Sequence, residues 1–136
     1  MNNSILTGRL TDEIQLRKTQ TDKSWCRFTL ACNRGAKDKD NKPIVDFVNV
    51  IAWEQKADFL SNFAHKGYMV GAKGRIETRT YEKDGVKHYD TYVLADYVEI
   101  LGEPRGAKPR TDLKPSEIND FNDNFTEDDF GGYEPW

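Results

Sequence analysis

This 136-residue chain has little of what cross-links or metallates a small fold: two cysteines and two histidines. Cys26 and Cys32 are six positions apart; on one strand, at roughly 3.3 Å per residue, that separates them by about 20 Å. A disulfide needs Cα atoms within about 7 Å, so the pair reads as small core residues of a reducing compartment rather than a bridge. No paired CxxC or HxxxH spacing is present to hold a metal. P-loop, GxSxG and HExxH motifs are absent. His65 and His88 fall on different elements, and the carboxylates Asp46, Asp90 and Asp96 are scattered. A binding protein is therefore expected, with no enzymatic activity, cofactor or metal. No apolar run approaches the about 20 residues that a membrane helix requires. The start, Met1-Asn2-Asn3-Ser4, lacks the basic-then-apolar pattern of a secretory signal, so the expected setting is the cytoplasm, away from membranes.

Charge is present but unevenly placed. Up to Arg110 there are 19 Lys and Arg against 15 Asp and Glu, a net +4. From Thr111 to Trp136 there are one Lys and eight Asp and Glu, a net −7. A mildly basic domain with an acidic tail suits a nucleic-acid surface joined to a separate interaction segment.

Residues 1–101 read as folded and mainly β. Ile5 to Leu10 forms a short strand containing Gly8, and Ser24 to Asn33 alternates, with Cys26, Phe28, Leu30 and Cys32 opposite Trp25, Arg27, Thr29 and Ala31. Trp25 fits binding face, core or subunit contact equally. Arg34 to Pro43 is charged and turn-rich and reads as a loop. In Ile44 to Trp53, Val48, Val50 and Ala52 face one way and Phe47, Asn49, Ile51 and Trp53 the other. Between Glu54 and Lys66 the period becomes helical through Phe59, Leu60, Phe63 and Ala64, with His65 and Lys66 at the end and Gly67 as a left-handed stop. Tyr68 to Tyr81 alternates again, Val70, Ala72, Ile76 and Thr78 against Lys73, Arg75, Arg79 and Tyr81. Asp84-Gly85 signals a hairpin before a last strand from His88 to Leu101. One helix between the third and fourth long strands is the element order of a five-stranded OB-type Greek-key barrel. An SH3-like barrel or a small α+β sheet carries the same order. Residues 102–126 read as a flexible linker and 127–136 as an acidic tip, for which disorder is expected.

Aromatics in strands are most often core. Here the opposite faces already supply core residues, which leaves Phe47, Trp53 and Tyr81 on faces shared with Asn49, Lys73, Arg75 and Arg79. Aromatic rings interleaved with cations suit a single strand, whose bases stack for about 1–3 kcal/mol each and whose phosphates attract Lys and Arg.

Five segments carry a resemblance: Gly8-Arg9-Leu10, Phe28 to Arg34, Asp46 to Trp53, Lys66-Gly67 and Gly74 to Tyr81. Over residues 1–101 the chain resembles bacterial-type single-stranded DNA-binding proteins. The resemblance implies an OB fold, assembly as a homotetramer, and base stacking at Phe47, Trp53 and Tyr81. It puts Arg9, Arg34, Lys66, Lys73, Arg75 and Arg79 at or near the family's basic positions and makes the hairpin from Tyr81 to Tyr89 its DNA-contacting loop. Asn49, Lys56 and Lys87 complete the candidate DNA-binding set. The family's acidic tip has its counterpart in Asp128, Asp129 and Phe130, then Glu134, Pro135 and Trp136, the expected docking segment for DNA replication, recombination and repair proteins. Physically, a terminal aromatic fills an apolar pocket while its carboxylate meets a cation. The chain departs from the family in Ala36, where a loop aromatic is common, in Trp136 for Phe, and in the inserted Gly131-Gly132-Tyr133. Its short linker suits a phage or mobile-element version.

Overall fold

The computed structural model describes residues 1–104. The chain runs β1 (Ser4–Leu10), β2 (Arg17–Lys18), β3 (Ser24–Lys37), β4 (Pro43–Trp53), α1 (Gln55–Phe63), β5 (Met69–Lys83) and β6 (Val86–Gly102). The sheet order is β1-β5-β6-β4-β3-β2, and β1 also pairs with β3, which closes the five long strands into a barrel. All pairs are antiparallel except β4 with β6, joined at Val50↔Val93 and Ile51↔Leu94. This is the OB-type barrel with one helix.

The barrel interior follows from strand alternation. Leu10, Cys26, Phe28, Leu30, Val50, Ala52, Val70, Ala72, Val93 and Ala95 meet inside, and Ala57, Leu60 and Ala64 join them from the helix side. Both cysteines are free thiols. Burial is the main reason the Cys26 thiol is pushed up to about 12, which keeps it protonated at neutral pH.

Strand β5 serves two partners. From Met69 to Gly74 it pairs with β1 on one edge and β6 on the other; beyond Gly74 only its pairing with β6 continues. The register shifts there, Lys73 facing Tyr97 and Gly74 facing Ala95, so Asp96 is the extra residue of a β-bulge. A Cβ on Gly74 would lie 1.9 Å from the Leu94 carbonyl oxygen, so only glycine permits this approach. After it β5 has lost β1 while β6 stays joined to β4 through Val93 and Leu94, and past that pairing the two strands continue as a two-stranded arm. The arm turns at Asp84-Gly85, whose φ of 54° and 77° are those of a type I′ hairpin.

Four local expectations are corrected. The Arg34–Pro43 segment is shorter as a loop than its composition indicates, since Lys37 still pairs with Pro43 past an irregularity between Asn33 and Lys37. Only Asp38–Lys42 lies between the strands, turned by Asp38, whose carboxylate accepts the Asp40 and Lys42 backbone N–H groups. The helix stops at Phe63, because Ala64 turns extended and the chain then pairs with the end of β1 through Gly67 N–H to Leu10 O and Leu10 N–H to Tyr68 O, both 2.9 Å. Gly67 has the expected positive φ but four residues past the end of the helix at Phe63, and His65 and Lys66 lie outside it. Phe59 and Phe63, read with the buried face, are exposed and pack on each other with ring centroids 5.5 Å apart. Ile76, read as core, is 48% exposed because β1 ends opposite Gly74 and leaves that edge of β5 without a strand neighbour. There the Asn2 side chain stands in for a strand neighbour, accepting from Ile76 N–H at 2.9 Å and donating to its carbonyl at 2.8 Å.

Gly74→Ala is expected to destabilise the fold by about 1–3 kcal/mol through overpacking. Gly102→Ala, with nothing among the described residues within 4 Å, should stay within about 0.5 kcal/mol. Urea unfolding of both variants checks this.

Candidate functional site

Strand registers place the central candidates on one outer face. Arg27 on β3 faces Ile51 on β4, Ile51 faces Leu94 on β6, and Leu94 faces Arg75 on β5. Parallel rows pair Trp25 with Trp53, Thr29 with Asn49, Tyr92 with Glu77, Asp90 with Arg79 and His88 with Tyr81. Arg9 joins through Ala31, which also faces Phe47. Lys73 is two residues before Arg75 but across the bulge, between Ile5 and Tyr97.

The face has an apolar floor of its own. Trp25, Ile51, Trp53, Tyr92 and Leu94 form a second buried cluster, with the two indoles 6.1 Å apart. Trp53 is thus on the expected face but only 3% exposed, whereas Phe47 and Tyr81 are half-buried and offer ring surface. Trp25, left open between three roles, belongs to this cluster, with the Arg17 guanidinium 5.8 Å from its ring centroid.

Charged side chains cross over this floor. Arg27 donates to both Asp90 carboxylate oxygens, at 2.8 and 3.4 Å, and the Arg79 Nε lies 3.6 Å from the same carboxylate. The side chains of Arg27, Asp90 and Arg79 are 10%, 10% and 7% exposed, so this is an interior ion cluster tying the base of the arm to β3. Arg79 then lies with its guanidinium carbon 4.8 Å from the Tyr81 ring centroid. Beside them Arg75 pairs with Glu77 at 2.8 Å, and Glu77 also accepts from the Tyr92 hydroxyl at 3.2 Å. Burial, then the Glu77 charge, raises the Tyr92 phenol far above its usual range, so it stays a donor. The Thr29 hydroxyl donates to Asn49 Oδ1 at 2.9 Å, which orients the Asn49 amide on the floor.

The remaining candidates lie around the rim. Arg9 donates to the Gly67 carbonyl at 3.0 Å, beside Lys66. Glu13 accepts the Lys66 backbone N–H and contacts His65 Nδ1, both at 3.2 Å, and these contacts, the backbone one first, hold its carboxyl below the usual range. Arg34 makes an exposed two-point pair with Asp46, at 2.6 and 3.1 Å, on the β3–β4 hairpin. Lys87 projects from the arm with its ammonium 5.9 Å from the Tyr89 ring centroid. Lys56 is on α1, off the sheet. Asp128, Asp129, Phe130, Glu134, Pro135 and Trp136 lie outside the described residues.

Sequence reasoning passed over Arg27, Asp90 and His88. Arg27 and Asp90 meet across 63 positions, and nothing local signals such a pairing. The burial of Trp53 did have a signal: Trp25, Ile51, Tyr92 and Leu94 make the strands apolar on both faces.

A model of the single-strand binding protein family matches residues 1–101. The chain belongs to that family. It is 42% identical over 102 residues to the single-stranded DNA-binding protein of Streptococcus mutans serotype c, an alignment covering 74% of this chain and 62% of that protein. It is also 42% identical over 102 residues to single-stranded DNA-binding protein 1 of Streptococcus pyogenes serotype M18, covering 74% and 78%. Single-stranded DNA-binding protein 3 of Streptococcus agalactiae serotype V is 37% identical over 122 residues, covering 89% and 88%. The matches thus span from under two thirds to nearly nine tenths of these relatives. No helix among the described residues of this family member is long and apolar enough to cross a membrane.

The buried Asp90 cluster and the exposed Arg34–Asp46 pair should respond differently to removal of their carboxylate. Asp90→Ala removes the carboxylate that two largely buried guanidinium groups share and is expected to cost about 3–5 kcal/mol. Asp46→Ala breaks an exposed, solvent-screened pair and is expected to leave stability nearly unchanged. Thermal or urea unfolding of the two variants measures the contrast.

Proposed function

We propose that this chain binds single-stranded DNA with little sequence preference, through the outer barrel face and the hairpin arm. What carries the reading is that Phe47, Asn49, Trp53, Arg75, Arg79 and Tyr81 share one face in a member of the single-strand binding protein family. The names of the relatives point the same way. Phe47 and Tyr81 supply stacking surface. The rim cations Arg9, Arg34, Lys66, Lys73 and Lys87, together with Arg75, attract the phosphates, and Lys56 extends the track onto α1. Trp53 lies below and backs the face. Arg79 acts from the ion cluster by holding Tyr81. The work is binding and protection, in the cytoplasm, without catalysis.

Two further parts belong to this reading. The protein assembles as a homotetramer. In support, β1 pairs with β3 only at Arg9 and Leu10 among the described residues, which leaves the Ser4–Gly8 stretch of that edge for a second copy. Ile5, Tyr97 and Leu101 add exposed apolar surface close to it. Beyond the barrel domain of residues 1–101, residues 102–126 serve as linker, and the acidic tip of residues 127–136 docks on replication, recombination or repair proteins, steered by its charge.

Titration of the full chain with oligo-dT, read by tryptophan fluorescence at low and high salt, tests the central reading. Binding should weaken as salt rises. Phe47→Ala and Tyr81→Ala should each weaken it by about 1–3 kcal/mol in folded protein. Unchanged affinity in the folded double variant would remove the stacking role, and tighter binding to matched RNA would move the substrate to RNA. Deleting residues 134–136 should leave oligo-dT binding intact and abolish capture of partner proteins. Sedimentation should give a tetramer mass, and Ile5→Asp should reduce it.

A further inference from the structure

On the outer side of β4, Asn49 lies between Phe47 and Ile51 and faces Thr29 on β3. The Thr29 hydroxyl has one proton, and it donates that proton to Asn49 Oδ1 at 2.9 Å. Thr29 is itself held in place. It is 8% exposed, and its carbonyl accepts from the Thr11 backbone N–H at 3.2 Å and the Thr11 hydroxyl at 3.3 Å. With Oδ1 drawn toward β3, the planar amide must turn its Nδ2 amine the other way. Asn49 is half-buried, but the amine is not sealed in, and the half-buried Phe47 ring is two residues along the same strand. Among the described residues no acceptor takes it.

An amide free to rotate offers a base either a donor or an acceptor, and so favours none. An amide held by its oxygen offers donors alone. The bases differ in what they present at the exocyclic position. Thymine O4 and guanine O6 accept, whereas the cytosine N4 and adenine N6 amines donate. Residues on one side of a strand recur about every 7 Å, so a base resting on Phe47 brings an edge to the Asn49 amine. A keto edge completes a hydrogen bond there. An amino edge sets donor against donor and leaves a half-buried amine unpaired.

We propose that Thr29 is a positioning residue that sets base selectivity: by fixing the Asn49 amide it makes one place on the outer face prefer the keto bases thymine and guanine to the amino bases cytosine and adenine. The proposal rests on reading the outer face as a single-stranded DNA surface, and it adds one selective position to a surface otherwise indifferent to sequence. One neutral hydrogen bond corresponds to a factor of about three to ten in affinity, so every strand still binds while the bases are ranked.

The test is titration of the full chain with oligo-dT, oligo-dC and oligo-dU of about 8 nucleotides, within the site of one OB domain, at matched ionic strength. Wild type should bind oligo-dT about three to ten times more tightly than oligo-dC. Oligo-dU should match oligo-dT, because it keeps O4 and lacks only the methyl group. Thr29→Val keeps the shape of the side chain but frees the amide, and the dT-to-dC ratio should fall toward one. Thr29→Ser keeps the hydroxyl and should keep the ratio. Asn49→Asp puts acceptors in place of the amine and should move the ratio toward oligo-dC, whatever its charge does to both affinities. A carboxylate has no wrong way round, so Thr29→Val added to Asn49→Asp should leave that ratio where it is. A merely structural Thr29 would weaken both oligomers alike and leave the wild-type ratio intact. If wild type binds oligo-dT and oligo-dC equally, if oligo-dU loses the preference, or if folded Thr29→Val keeps the wild-type ratio, the proposal is overturned and the DNA-binding reading stands. If wild type binds no oligomer, both fall together. Circular dichroism melts verify the fold of each variant, and Thr29→Ala, which also lacks the hydroxyl, takes the place of Thr29→Val if the latter unfolds.

Discussion

Closure of the barrel depends on how near two backbones can come at one point. Strand β5 must pair with β1 on one side and β6 on the other, then drop β1 and continue outward. At that place Gly74 lies against the Leu94 carbonyl, closer than any side-chain-bearing residue permits. The bulge at Asp96 absorbs the mismatch in register on the opposite strand. Closure before Gly74 and the free arm after it have one origin. The arm in turn carries Tyr81 and His88 away from the barrel interior, where both are half-buried.

The outer face is built as a second, shallower core with a charged cover. Interior-facing alternation accounts for Val50, Ala52 and Val93, but Trp25, Ile51, Trp53, Tyr92 and Leu94 are buried on the other side of the same strands. Their exclusion from water lowers the local dielectric around the Arg27–Asp90–Arg79 cluster. Removal of one partner is costly there, whereas the Arg34–Asp46 pair on its exposed hairpin is screened by solvent. The cation residues therefore divide physically. Those in the buried cluster tie the arm to β3, and those on the rim, such as Arg34 beside Asp46, stand in solvent that screens their charge.

The sequence by itself determined the long strands and the single helix, because alternation of period two and a helical interval survive in any local window; the barrel class came with the family resemblance, since the same element order also fits an SH3-like barrel or a small α+β sheet. It also determined the hairpin turn at Asp84-Gly85, the outward side of Phe47 and Tyr81, and the family, whose motifs are local strings. Only the tertiary structure decided what required distant segments to meet. Arg79, legible as a cation beside an aromatic, is drawn by Asp90 and Arg27 into an interior cluster. Trp53, legible as outward, is covered because Trp25, Tyr92 and Leu94 arrive from other strands. Ile76, Phe59 and Phe63 keep the period of buried residues yet lie exposed, since β1 ends opposite Gly74 and the helix is only nine residues long with Ala57, Leu60 and Ala64 filling its contact. The physical reason is common to all of these. Periodicity states which side of an element a residue occupies, while burial and charge pairing depend on strand register and on where the barrel closes, and those are set by contacts between residues far apart in the chain.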